Sequence, residues 1–384
     1  MNRKRTGGRK LLFVFPLALN LRAHWADRVR AAALAGAEVH VAVPRDETVN
    51  ALDLGGAILH DIALHRGPLA PFAELRTIFA IRRLIKSVEP DLVHAVTIRP
   101  VIYAGILARL LRVPAAVFSV TGLGYLFIGG KGRRLGQALG IRAYRLALNG
   151  PNAVTVFENP DDAAFFVERR IVSPGRARVF VGGGIDLDAY AFTGETPSAS
   201  PLVVLPSRLL ADKGVREFVS AARLLRGQGA AARFALVGDV DPGNPATLSR
   251  GEIEDWVRDG AVEWWGWRDD MADVIRQSAI VCLPSYREGA PRALIEAAAI
   301  GRACVATDVP GCRAVVLDRV TGLLVPPRDA VALAGALRTL IGDPALRARM
   351  GAAASAHAER NFSSDLAVDR MLSLYDELLP GWRA

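Results

Sequence analysis

The sequence predicts an α/β protein of two doubly wound, Rossmann-like domains, each built on a parallel sheet. Three observations lead there. Short continuous apolar runs recur along the chain, at 10–15, 39–43, 92–95, 115–120, 154–157 and 179–181, then at 202–205, 234–237, 262–264, 280–283 and 303–307. Strands covered on both faces read as unbroken runs of this kind, whereas a half-solvated strand alternates. Amphipathic stretches separate the runs, as crossovers between parallel strands require. Finally, 384 residues, 51% hydrophobic and 23% charged, exceed one ordinary core and can fill two.

The first run follows five cations in residues 1–10 and is interrupted by Pro16 and Asn20, with Arg22, His24 and Trp25 beyond. A basic start followed by an apolar run imitates a secretion signal. The interruptions and the bulky residues where small ones would mark cleavage read instead as a first strand entering a loop. The run is too short to span a bilayer, and no other segment is long and uncharged enough. Phe192-Thr-Gly-Glu-Thr-Pro-Ser-Ala-Ser-Pro201 is rich in small, polar and Pro residues and reads as a linker. The expected division is therefore 1–195, 196–362 and a final segment, 363–384.

The second half carries the chemistry. The run at 202–205 leads through Pro206 and Ser207 to Arg208, and Lys213 follows in an Arg-x4-Lys spacing. Further on, Pro284-Ser-Tyr-Arg-Glu288-Gly-Ala-Pro291-Arg-Ala-Leu-Ile-Glu296 sets two glutamates around a helix start. Pro291 suits the first turn of that helix and Gly301 its stop. Glu288 then lies in the preceding loop and Glu296 inside the helix. Backbone N–H groups near Gly289 and Ala290 would face an anion, and Gly289 lets the backbone approach it closely. Fixed cations stabilise a departing diphosphate without a metal, and carboxylates accept from sugar hydroxyls.

These spacings, with Ala306-Thr-Asp-Val-Pro-Gly311-Cys-Arg beyond them, resemble the retaining family 4 glycosyltransferases of the GT-B fold. Val120-Thr-Gly-Leu-Gly124 and the stretch from Asp91 to Gly105 resemble the bacterial polysaccharide and lipid-linked oligosaccharide enzymes among them. The resemblance implies a cleft between an N-terminal acceptor domain and a C-terminal nucleotide-sugar domain, and a last helix crossing back to the first domain. It implies Arg208, Lys213 and Glu288 as catalytic residues. Glu296 would hold the ribose, with Gly289, Ala290, Pro291, Gly238 and Asp239 also on the donor. Many relatives carry a histidine after the strand at 115–120; Thr121 stands there in this chain, beside Gly122, and Thr cannot act as acid or base near neutral pH. His94 is the remaining candidate at the acceptor site, with a satisfied structural histidine the equal alternative.

Of the 48 Lys and Arg and 39 Asp and Glu, residues 1–197 hold 26 and 16, so the excess positive charge lies almost entirely in the first half. A basic acceptor domain fits an anionic partner: a membrane surface or a polyprenyl pyrophosphate within it. The loop Gly124-Tyr-Leu-Phe-Ile-Gly-Gly-Lys131-Gly-Arg133-Arg134 is the sharpest local candidate for that contact. No aromatic-rich or helix-turn-helix pattern accompanies the charge, so nucleic acid is not expected.

Asp186-Leu-Asp188 and Asp239-Val-Asp241 mimic a metal-binding Asp-x-Asp, but the cationic pair makes a metal redundant, and none is expected. The glycines at 182–184 read as a loop near the nucleotide, Gly122-x-Gly124 as one lining the acceptor, and Trp264, Trp265 and Trp267 as strand-end packing. Cys282, Cys304 and Cys312 lack ligand spacing and read as reduced core residues of a cytoplasmic protein attached to the inner membrane face. The expected activity is transfer of a hexose or N-acetylhexosamine, UDP-linked, to a polyprenyl-pyrophosphate saccharide, with no cofactor beyond the nucleotide sugar. A nucleotide-sugar epimerase or hydrolase and a non-catalytic nucleotide-sugar binder are the rivals.

Overall fold

The structure, a computed structural model, describes residues 8–62, 64, 70–122 and 134–383. They divide into two units: unit 1 holds the described residues up to Gly184 together with those from Asp365, and unit 2 is Ile185–Ser364.

Unit 1 is built on seven parallel strands: β1 (Lys10–Val14), β2 (Glu38–Val43), β3 (Ile58–Asp61), β4 (Leu92–Val96), β5 (Ala115–Val120), β6 (Ala153–Phe157) and β7 (Ala177–Val179). Their order is β3-β2-β1-β4-β5-β6-β7. Every residue of β4, β5 and β6 is buried, which is why these strands show as apolar runs. On one face, Ile81 and Leu84 of the helix Pro71–Val88 join Val101 and Ala104 of the helix Ile98–Leu110 over Leu12, Val93 and Phe118. On the other, the helix Ser364–Leu378 lays Met371, Leu374, Tyr375 and Leu378 on Leu11, Phe13, Val41 and Val117. Each such aromatic or aliphatic side chain contributes about 1.5–3 kcal/mol by leaving water.

Unit 2 has six parallel strands: β8 (Leu202–Pro206), β9 (Arg233–Val237), β10 (Glu263–Trp264), β11 (Ile280–Leu283), β12 (Ala303–Thr307) and β13 (Gly322–Val325), in the order β10-β9-β8-β11-β12-β13. In both sheets the order reverses beside the first strand, between β1 and β4 and between β8 and β11. Loops leaving the C-terminal ends of two such strands diverge, and the crevice they leave is where doubly wound sheets bind ligands.

The linker expectation is corrected. Residues 192–201 belong to unit 2 and are held on it from far along the chain. Thr193 N–H donates to the Ile300 carbonyl at 3.0 Å, and Arg302 Nη1 to the Thr193 carbonyl at 2.6 Å. Arg347, 3% exposed, grips Glu195 through Nη2 and Nε at 2.6 and 2.9 Å. Thr193 and Glu195 are held by buried arginines although most of the stretch is exposed, and the chain passes between units at Gly184–Ile185 and Ser364–Asp365. The loop 124–133 lies outside the described residues.

Candidate active site

Two loops of unit 2 meet at the strand-order reversal. β8 runs out at Pro206 and delivers Ser207 and Arg208; a single 3-10 turn, Ala211–Lys213, then presents Lys213, and Gly214 turns at φ 69° to open the helix Val215–Gly227. A Cβ on Gly214 would strike the Pro284 carbonyl, so only glycine lets this loop close on the one after β11. The Tyr286 N–H donates to the Asp212 carbonyl at 2.8 Å and completes the join. Lys213 Nζ thereby reaches Glu288 Oε1 at 2.5 Å, with only 20% and 11% of the two side chains exposed.

The neighbouring residues are equally fixed. Arg208 Nη1 lies 2.8 Å from Asp241 Oδ2 and remains half exposed. Gly238, at φ 145°, ends β9 with its Cα against the Ser207 carbonyl, where a Cβ would collide. Asp239 takes Arg250 Nη2 at 3.0 Å on each carboxylate oxygen, and the Arg250 guanidinium lies over the Trp264 ring. Pro291 caps the helix Arg292–Ile300, which carries Glu296 inward, 6% exposed. Glu296 Oε1 accepts from Arg292 Nε at 2.7 Å and from the Tyr190 hydroxyl at 3.0 Å. Burial and the Glu296 charge push the Tyr190 phenol up to about 12, so it stays a donor. Gly311 allows the next helix, Pro310–Val315, to press on the backbone of Glu288 and Gly289. Burial foremost, with Glu288 nearby, raises the Cys312 thiol well above its ordinary range.

Arg208 and Lys213 at these loop tips therefore each sit on a carboxylate. A diphosphate entering among them can take Arg208 and Lys213 from Asp241 and Glu288, releasing the carboxylates to accept from hydroxyls. The structure brings Arg208, Lys213, Glu288, Glu296, Gly238, Asp239 and the 289–291 turn into unit 2 on the loops after β8, β9 and β11 and on the helix behind them.

In unit 1, Thr121 and Gly122 leave the end of β5 partly exposed, Gly122 at φ 142° with open space where a Cβ would stand. His94 is a correction. It is 2% exposed, with Nδ1 2.5 Å from the Tyr375 hydroxyl, Nε2 2.8 Å from the Ser119 hydroxyl, and its ring against Phe13 and Trp25. Burial, helped by the Arg28 charge, lowers its pKa to about 3. Both nitrogens are committed, so it is core rather than acceptor surface. The glycines 182–184 belong to unit 1, where Gly183 lies beside His24 and Arg28.

A family model described as glycosyl transferases group 1 matches residues 200–343, and another, glycosyl transferase 4-like, matches residues 10–158. The chain belongs to these glycosyltransferases. It is 27% identical over 357 residues to the N,N'-diacetylbacillosaminyl-diphospho-undecaprenol alpha-1,3-N-acetylgalactosaminyltransferase of Campylobacter jejuni, covering 89% of this chain and 92% of that one. Its fold matches sucrose-phosphate synthase from Thermosynechococcus elongatus, with TM-score 0.79, 20% identity and 96% and 99% of the two chains covered. It also matches Anabaena HepE in complex with UDP, with TM-score 0.75, 18% identity and coverage of 96% and 100%. The architecture is GT-B.

The candidate site also contains residues the sequence left unassigned: Asp241 on Arg208, Arg250 on Asp239, and Arg292 and Tyr190 on Glu296. Arg292 stands one helical turn before Glu296, a spacing visible in the sequence. Tyr190 comes from more than a hundred residues away, and nothing local marks it. Trp264 is packed as expected, its Nε1 donating to the Gly238 carbonyl at 2.9 Å, whereas Trp267 is 56% exposed. Cys282, Cys304 and Cys312 are buried free thiols. Among the described residues no cluster of three or more His, Cys, Asp or Glu could hold a metal, and no helix is long and apolar enough to cross a membrane.

Proposed function

We propose that this glycosyltransferase moves a hexose or N-acetylhexosamine from a UDP-sugar to a saccharide carried on a polyprenyl pyrophosphate, with retention at the anomeric carbon. One observation carries the reading: Arg208 and Lys213 after β8 and Glu288 after β11 flank the strand-order reversal of unit 2. Arg208 and Lys213 hold the diphosphate, Glu296 the ribose and Glu288 the sugar hydroxyls, while Gly289, Ala290, Pro291, Gly238 and Asp239 shape the donor pocket. The bond from the anomeric carbon to the β-phosphate oxygen breaks, and the acceptor hydroxyl oxygen bonds to that carbon from the same face. Its proton passes to the departing phosphate, which makes a protein base unnecessary, and the cations replace a metal in balancing the new charge.

The Campylobacter jejuni relative's name gives a lipid-linked diphospho-undecaprenol acceptor, and HepE was crystallised with UDP-glucose; both support this donor and acceptor pairing. Thr121 and Gly122 line the acceptor side of unit 1. The basic first half suits the inner face of the cell membrane, where the protein works peripherally in the cytoplasm. The test is release of nucleoside diphosphate from a panel of UDP- and GDP-sugars, with and without lipid extract. Release requiring one UDP-sugar and the lipid supports the proposal. Release without acceptor makes the protein an epimerase or hydrolase, and donor binding without release makes it a sensor.

A further inference from the structure

The helix Pro71–Val88 turns Thr77, Ile81, Leu84 and Val88 into unit 1 and exposes residues of its opposite face. That face carries Phe72, Leu75 and Phe79, exposed by 82%, 49% and 63%. Single exposed apolar residues are ordinary, but here three share one stripe, because steps of three and four residues return to the same side of a helix. Interleaved with them and continuing towards the C-terminal end are Arg76, Arg82, Arg83 and Lys86, all exposed. Among the described residues none of these four makes an ion pair, whereas Arg208, Arg216, Arg223 and Arg233 of unit 2 are each paired. The helix's one acid, Glu74, is turned inward, 8% exposed, accepting from the Tyr103 hydroxyl at 2.6 Å. The outer face is thus apolar at one end and cationic towards the other, with no acid before the exposed C-cap Glu89.

We propose that this face seats the protein on an anionic lipid bilayer. Phe72, Leu75 and Phe79 enter the headgroup layer while Arg76, Arg82, Arg83 and Lys86 meet lipid phosphates. The topology agrees. A helix following a parallel strand begins at the edge where that strand ends, so Phe72 lies at the edge of the unit 1 sheet from which Thr121 and Gly122 emerge. A second copy of the chain would set four like charges against four, and a nucleic acid would leave the three apolar side chains unsatisfied. The proposal deepens the lipid-linked reading of the acceptor, and its test uses neither donor nor acceptor, so each can fail without the other.

The experiment is co-sedimentation with vesicles of phosphatidylcholine alone or mixed with phosphatidylglycerol, at low and high salt. It compares the native chain with Phe72→Ser/Phe79→Ser and with Arg82→Glu/Arg83→Glu/Lys86→Glu. The native chain should bind only the anionic vesicles and release in salt. Each variant should bind about tenfold more weakly or worse, since each cation near such a surface and each buried aromatic adds severalfold to the affinity. Unchanged far-ultraviolet circular dichroism and melting, expected for exposed positions, shows that the fold survives. Equal binding to neutral vesicles, variants that bind like the native chain, or a native dimer that either variant makes monomeric would each overturn the proposal. In the separate donor and acceptor assay, no lipid-dependent UDP release from a chain that binds the vesicles would instead strike the transfer reading.

Discussion

Lys213 and Glu288 form the least exposed ion pair at the loop tips, and the pair is useful because it is exchangeable. The ammonium is a compact charge on a flexible stem, able to move from a carboxylate to a phosphate without rebuilding the loop. Replacing Lys213 by Ala should lower turnover by about 10²–10³-fold, the scale of a lost transition-state charge partner, with the melting profile kept. Turnover near the native rate in donor-saturated assays would remove Lys213 from the diphosphate site. His94 offers a different test. Its native pKa of about 3 lies below the ordinary 6.5, so the unfolded chain binds the extra proton in between. Stability must therefore fall as pH drops through that window, by up to about 1.4 kcal/mol per pH unit, and be unaffected by this group above it. Urea unfolding at pH 7 and pH 5 should show a smaller difference in His94→Gln than in the native chain.

At the scale of elements, the stretch from Phe192 to Pro201 shows what a sequence conceals. Glu195 is half of a pair whose arginine is 3% exposed, so Glu195→Ala leaves a buried, unmatched guanidinium and should cost about 3–5 kcal/mol in the unfolding of unit 2. A loss under about 1 kcal/mol in denaturant melts would mean the segment is a tether after all. Its partners Arg302 and Arg347 stand more than a hundred residues later, which is why small and polar residues there imitated a linker. The interior strands were legible because burial on both faces demands apolar residues, and β5, β11 and β12 lie where their runs end and begin. Edge strands face no such demand: β3, Ile-Leu-His-Asp with no residue fully buried, and β13 went unread, and β7 begins at Ala177 rather than at the apolar run. In the site, Arg-x4-Lys and Glu-x7-Glu were visible because each lies on one loop and its helix. Tyr190 was not, and the sequence left His94 open between acceptor and core, because both depend on partners brought by the fold.

At the scale of the molecule, unit 2 is one continuous stretch, Ile185–Ser364, whereas unit 1 is assembled from two. The later part of unit 1 supplies Met371, Leu374, Tyr375, Leu378 and Trp382 to the face of its sheet, and Asn152 Nδ2 donates to the Leu378 carbonyl at 3.0 Å. Cutting the chain after Ser364 should therefore expose Leu11, Phe13 and Val41 and unfold or aggregate unit 1, while unit 2 keeps its native protection in hydrogen exchange. Protection of β1 and β4 amides in the cut chain would show that unit 1 closes without those residues. The same division has a consequence for synthesis. As the polypeptide leaves the ribosome, residues 8–184 emerge before unit 2, yet one face of their sheet lacks Met371, Leu374, Tyr375, Leu378 and Trp382 until the residues beyond Asp365 follow. Unit 2, made second, has everything it needs first. The nascent chain must carry part of an apolar face uncovered while all of unit 2 is made, the interval in which chaperones have something to hold.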